Sequence, residues 1–214
     1  MRLFFVFLQN ELKLVLRNHE SLFSIFFFSF LLNLLFVFGF PIERSSVWSL
    51  ALTFIWLTTL FGGILRMNRT FEAENEGGVL DGIRMMREAY LPFFGAKLFI
   101  NFVFILILEV ISTFFVILFF NPPDFLSQLK LFVCPLGLGA LGLAVIGTTF
   151  SGMLVSHKRK ELILPVISYP LMMPLIIGVL KGGGGDLVWL KLLGGFDVIY
   201  LIASLMVYET LLES

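Results

Sequence analysis

The sequence predicts an all-α membrane protein, with six transmembrane helices behind an amphipathic helix that lies in the interface. Three observations predict it. Of 214 residues, 58% are hydrophobic and 14% charged, and 27 are phenylalanine. A soluble domain carries about 25% charged residues, so this chain has too few polar groups to wet the surface of a globule. Second, six apolar segments each reach the roughly 20 residues that a helix needs to cross a hydrocarbon core about 30 Å thick. Third, the segments lack the alternating polarity of barrel strands, and backbone groups in lipid must pair within their own segment.

Residues 1–18 read as an amphipathic helix retained at the membrane surface. Apolar Phe4, Val6, Phe7 and Leu8 precede Leu12, Val15 and Leu16, with Asn10, Lys13 and Arg17 between them. Such a helix places its basic groups among lipid head groups. A signal peptide does not fit, because the run Leu3–Leu8 is short, Gln9-Asn10-Glu11 follows it, and no small-residue cleavage site appears. The competing reading makes these residues the first turns of span one. The spans follow as Leu22–Phe40, Val47–Leu65, Phe93–Phe120, Leu131–Val155, Leu162–Leu180 and Leu187–Leu212, in one domain over 1–214. Pro41, Asn121-Pro122-Pro123-Asp124 and Gly182-Gly183-Gly184-Gly185 punctuate them. Cationic residues set the orientation. Arg2, Lys13, Arg17, Arg66, Arg69, Arg84, Arg87, Lys97, Lys158, Arg159 and Lys160 fall on one side, and only Arg44, Lys130, Lys181 and Lys191 on the other. Both termini, the 66–92 loop and the 156–161 loop are therefore expected in the cytoplasm.

One polar island breaks the apolar chain, between the second and third spans. It opens with Arg66 and Arg69, then an acidic cluster, Glu72, Glu74 and Glu76, then Gly77-Gly78. Val79, Leu80, Ile83 and Met86 then recur at helical spacing, with Asp81, Arg84, Arg87 and Glu88 elsewhere on the wheel. Arg84 and Glu88 stand at i,i+4, where they can pair. The apolar stripe needs a surface to bury on. Lipid is one candidate; a groove in a cytosolic subunit is the sharper one. An ATPase fits that role, because the chain has no ATPase motif of its own. The glycine run at 182–185 lacks the following Lys-Ser/Thr of a P-loop.

These residues carry a resemblance. Asn68-Arg69-Thr70-Phe71 is similar to a Glu-Arg-x-Phe element, followed by Gly78-Val79-Leu80-Asp81, Ala96-Lys97, Arg159, Leu164-Pro165 and Pro170-Leu171-Met172-Met173-Pro174. Order and spacing resemble the haem exporter protein B family over essentially the whole chain. Asn68, where that family usually has an acid, and Arg87, in a stretch usually rich in proline, depart from its pattern. The resemblance implies an exporter permease of the ABC-2 type in a bacterial inner membrane, serving cytochrome c maturation. It implies a homodimer, a separate cytosolic subunit that hydrolyses ATP, and small membrane subunits that handle haem. With the stripe, it makes Arg69, Phe71, Gly78, Leu80, Asp81 and Ile83 the expected contacts of the ATPase subunit. Haem is implied as cargo, not as a resident cofactor. Two readings stay open, export of haem and mechanical coupling of ATP hydrolysis to release of a haem chaperone. A lipid or drug exporter of the same fold is a third.

Inside the membrane, Gly137, Ala140, Ala144, Gly147 and Ser151 recur in steps of three and four on one face of span four. Small residues there let another backbone approach, within the chain or across a dimer. Pro170 and Pro174 in span five each remove a helix hydrogen bond, giving either a fixed kink or a hinge. Glu109 and Asp197 are intramembrane acids and are expected to face protein or a wet cavity. Other chemistries are disfavoured. Zero net charge gives no general basic field for nucleic acid. The lone Cys134 cannot form an internal disulfide or a Cys-based zinc cluster. His19 and His157 read as interfacial side chains rather than haem ligands. No nucleophile, base and acid meet at motif spacing, so no catalytic residue is assigned.

Overall fold

The computed structural model describes residues 2–17, 19–39, 47–120, 125–155, 157 and 159–213. Among them there is no strand. Helix α1 (Arg2–Arg17) meets α2 (His19–Gly39) at a bend of 67°. Helix α3 (Val47–Asn68) enters the polar island, where α4 (Glu72–Glu76), α5 (Val79–Arg84) and a 3-10 turn (Arg87–Ala89) follow. Then come α6 (Tyr90–Phe120), α7 (Phe125–Met153), α8 (Lys160–Gly182) and α9 (Leu187–Glu213). Five helices, α3 and α6 to α9, are long and apolar enough to cross a membrane, and α1 and α2 pass the same test only when taken together as one bent pair. The helix expected from Leu131 begins earlier, at Phe125, and holds Pro135 within it. The breakers Pro41 and 121–124 lie outside the described residues.

Each crossing helix turns its few polar groups inward, because lipid offers them no hydrogen bonds. In α2, Ser29 and Asn33 are buried, while Phe23, Phe27, Leu31 and Leu35 recur every fourth residue and stay exposed to the surroundings. The Asn33 Nδ2 donates to the Ser29 carbonyl at 2.8 Å and to Ser112 Oγ of α6 at 3.2 Å. Helices α3 and α7 occupy the centre of the bundle, and one core runs through them from Ala51 to Leu193. Close approach there depends on glycine. A Cβ on Gly139 of α7 would stand 2.5 Å from the ring of Trp56, and one on Gly147 would overlap the Met67 side chain of α3. Polar pairs tie the remaining helices: the Thr149 and Ser204 hydroxyls lie 2.5 Å apart between α7 and α9. Such interhelical bonds act in lipid where hydrophobic attraction between helices is absent.

Candidate functional site

The island is anchored by one buried lysine. Lys97 stands two turns into α6 and is 1% exposed. Its ammonium reaches Glu11 of α1 at 2.7 Å and Glu74 of α4 at 2.6 Å, and it donates to the Thr70 carbonyl at 2.7 Å. An ammonium has three protons, and here each has an acceptor. The rings of Phe71 and Phe93 flank it at 5.1 and 5.5 Å, in the cation–π range. Phe7 of α1 packs edge-on against Phe93, at 5.4 Å. One residue therefore ties the amphipathic helix, the island and the third long crossing into one unit. Burial raises the Glu11 carboxyl to about 7, against the opposing pull of Lys97 and with a further push from Glu74. Two carboxylates share one cation, so one of them tends to keep a proton.

One turn deeper, Asn101 Nδ2 donates to Thr148 Oγ1 of α7 at 2.9 Å and to Thr70 Oγ1 at 3.2 Å. The Ser151 hydroxyl bonds the Met67 carbonyl, joining α7 to the end of α3. On the far side of the island, Lys160 at the start of α8 pairs with Glu72 at 3.2 Å. The island and the start of α8 are thereby linked.

The apolar residues of the island are turned differently from the sequence expectation. Phe71 and Ile83, expected to meet a partner, are each 2% exposed and pack with Ala89, Tyr90, Phe93 and Phe94 in a core of the chain itself. Leu80 is half-buried beside them. Helix α5 also ends at Arg84, before Met86, so the stripe is not one continuous helix. Of the expected contacts, Arg69 and Gly78 stay on the outside, and the exposed apolar side chains beside them are Val79, Met85 and Met86, with Met85 87% exposed. Gly78 sits at φ 65° between α4 and α5, a conformation that glycine adopts freely. The side chains of Asp81 and Arg84 lie outside the described residues, and with them the Arg84–Glu88 pair.

Within the bundle, Ala140 and Ala144 are fully buried, and Gly147 and Ser151 meet Met67 of the same chain. Gly137 is different, since a Cβ there would meet nothing within 4 Å. Pro165, Pro170 and Pro174 all lie inside α8. The Tyr200 hydroxyl of α9 donates to the Leu171 carbonyl at 2.8 Å, beside the interrupted ladder. The Ser168 Oγ, one turn earlier in α8, is buried without a hydrogen-bond partner among the described residues. Asp197 of α9 lies against Gly142 of α7, and among the described residues neither its carboxyl oxygens nor the buried Glu109 Oε1 has a hydrogen-bond partner. His19, His157 and Cys134 are exposed, and no group of three metal-ligating side chains occurs among the described residues.

The Glu11–Lys97–Glu74 cluster escaped the sequence reading, although a signal existed. Glu11 stands in register with Phe4, Phe7, Leu8 and Val15, on the inward face of α1, and an acid there demands a cation.

A comparison with curated proteins found no match. A family model described as CcmB protein matches residues 2–209, nearly the whole chain, including α1, the island and all the crossings. This chain belongs to the CcmB family, and so to the multi-pass membrane component of the haem exporter of cytochrome c maturation.

Proposed function

We propose that this chain is the permease-type subunit through which a separate ATP-binding subunit drives the cytochrome c maturation complex. It works as a homodimer in a bacterial inner membrane, with both termini and the island in the cytoplasm. The observation that carries this reading is the island itself. Val79, Met85 and Met86 form an outward apolar rim on a segment with a firm inner face. A rim on a mobile loop would absorb a push; one latched by Lys97 to α1 and α6 passes it on. The Lys160–Glu72 pair extends the same path to the proline-bearing α8. The dock is therefore assigned to Arg69, Gly78, Val79, Met85 and Met86, while Phe71 and Ile83 support it from inside. Asp81 stays with the dock as expected from the resemblance.

Haem is the cargo of the complex in this reading, and ATP is bound by the partner. The chain supplies the moving membrane part and no catalytic group. The test is co-purification after Val79→Glu with Met85→Glu. Both positions are exposed, so the chain should insert normally while the ATP-binding subunit is lost from the purified complex. Recovery of that subunit in undiminished amount with the double variant would overturn the assignment.

A further inference from the structure

A cleft of about 620 Å³ opens between α2 and α8, at the end of the bundle that carries the island. Helix α3 packs against both and closes the bottom of the cleft. Phe28 of α2, Phe61 and Leu65 of α3, and Leu162 and Pro165 of α8 give it apolar walls. Phe61, Leu65 and Leu162 are exposed, as walls that face lipid are. The cleft follows α8 from Glu161 to Tyr169, about 12 Å of helix rise. That approaches the hydrocarbon depth of one leaflet, roughly 15 Å in a core of about 30 Å.

Two charged residues belong to the lining, and both stand at its mouth. Arg69 follows the end of α3, and Glu161 lies in the first turn of α8. Both are exposed, and among the described residues neither side chain has an ion-pair partner. Pro165 adds a third polar group, because its missing N–H frees the Glu161 carbonyl from the helix ladder. The mouth therefore offers one cation, one carboxylate and one spare carbonyl, above walls that carry no charge.

That set of groups discriminates among amphiphiles. An anionic head satisfies Arg69 but sets its charge against Glu161. A choline head brings a cation, but methyl groups stand where hydrogen-bond donors are needed. An ethanolamine head brings a phosphate for Arg69 and a primary ammonium whose N–H groups can reach the carboxylate and the carbonyl.

We propose that the α2–α3–α8 cleft binds one phosphatidylethanolamine, with its phosphate on Arg69, its ammonium on Glu161 and an acyl chain along Phe61 and Leu65. The site requires only that the chain span a membrane. Arg69 also belongs to the proposed dock, so the test is made without the ATP-binding subunit and its outcome does not depend on that assignment.

The full chain, purified in mild detergent, is offered equal amounts of phosphatidylethanolamine, phosphatidylcholine and phosphatidylglycerol with identical acyl chains. Native mass spectrometry counts the lipids retained. The ethanolamine lipid should exceed the choline lipid by about five-fold, the upper end for an exposed ion pair. Glu161→Gln should abolish that preference while retention of the choline lipid is unchanged. Arg69→Gln should lower both together and keep their ratio, since both heads carry the phosphate. Leu65→Trp starts from an exposed position and should fill the cleft, reducing both lipids with every charge in place. Equal retention of the ethanolamine and choline lipids by the unaltered chain, or higher retention of the glycerol lipid, would overturn the proposal. So would a preference that survives Glu161→Gln or Leu65→Trp, or a chain that retains no lipid.

Discussion

A lysine ammonium donates three hydrogen bonds, and Lys97 makes all three inside the protein, to Glu11, Glu74 and the Thr70 carbonyl. Removing the cation from one side of such a cluster is costly, because two buried carboxyls are left facing each other. Lys97→Met is expected to destabilise the island by about 3–5 kcal/mol, the usual penalty for breaking a buried pair from one side. Protease sensitivity of α1 and a lowered melting temperature in detergent should report it, and adding Glu11→Gln and Glu74→Gln should recover part of the loss. The same cluster predicts a pH effect. Burial raises Glu11 from 4.5 to about 7. A raised acid favours the docked state fully below its unfolded value, and that gain is lost as pH rises through about 7. Protection of α1 amides, after division by the intrinsic base-catalysed exchange rate, should therefore fall as pH rises from about 4.5 to about 7, and Glu11→Gln should flatten the response. At this scale the cluster went unread in the sequence. Glu11 carried a signal, its register with Phe4, Phe7 and Val15, that was not used. Its partner did not, because Lys97 looked like an ordinary cation at the end of a span, and the contact between them is set by tertiary packing.

Among the elements, α8 has its ladder interrupted three times, at Pro165, Pro170 and Pro174, where α7 holds the single Pro135. The i,i+4 spacing of Pro170 and Pro174 frees carbonyls on one face, at Val166 and Pro170. Tyr200 bonds the neighbouring Leu171 carbonyl and so braces α9 against this stretch. If the stretch flexes under load from Lys160, an intact ladder should stiffen it. Pro170→Ala with Pro174→Ala should then insert and still hold the ATP-binding subunit, since alanine favours helix over proline by about 3 kcal/mol. Cytochrome c maturation should fall while ATP hydrolysis continues. Normal maturation by the double variant would show a fixed kink instead. Long elements were readable because a crossing must be about 20 apolar residues long, which fixed α3, α6, α8 and α9 closely. The short α5 was not: Val79, Leu80, Ile83 and Met86 had the spacing of a free stripe, but six residues of helix fit against the start of α6 and buried Ile83 there. Pro135 lies within the expected span four and within α7 alike, because a membrane helix can hold a proline that neighbouring helices accommodate.

For the whole molecule, the cation count and the bundle suggest the same orientation. The island, the start of α8 and the free end of α1 gather at one end, joined by the Lys160–Glu72 and Lys97 pairs, while the turn 183–185 lies at the other end of α8. In a Cys134→Ser background, a cysteine introduced at Asp186 should react with an impermeant thiol reagent added outside intact cells, and one at Met85 should not. The reverse pattern would overturn the topology. Lys97 also imposes an order on synthesis. Glu11 leaves the ribosome long before Lys97 exists, and in that interval a carboxylate on the apolar side of α1 lacks the ammonium that it meets at 2.7 Å in the finished fold. The first helix must wait at the membrane surface, held by water at that one residue, until the third long crossing has been made. Early in its life, then, the chain has an uncommitted N-terminal helix, and a truncation that stops before residue 97 should leave it permanently so.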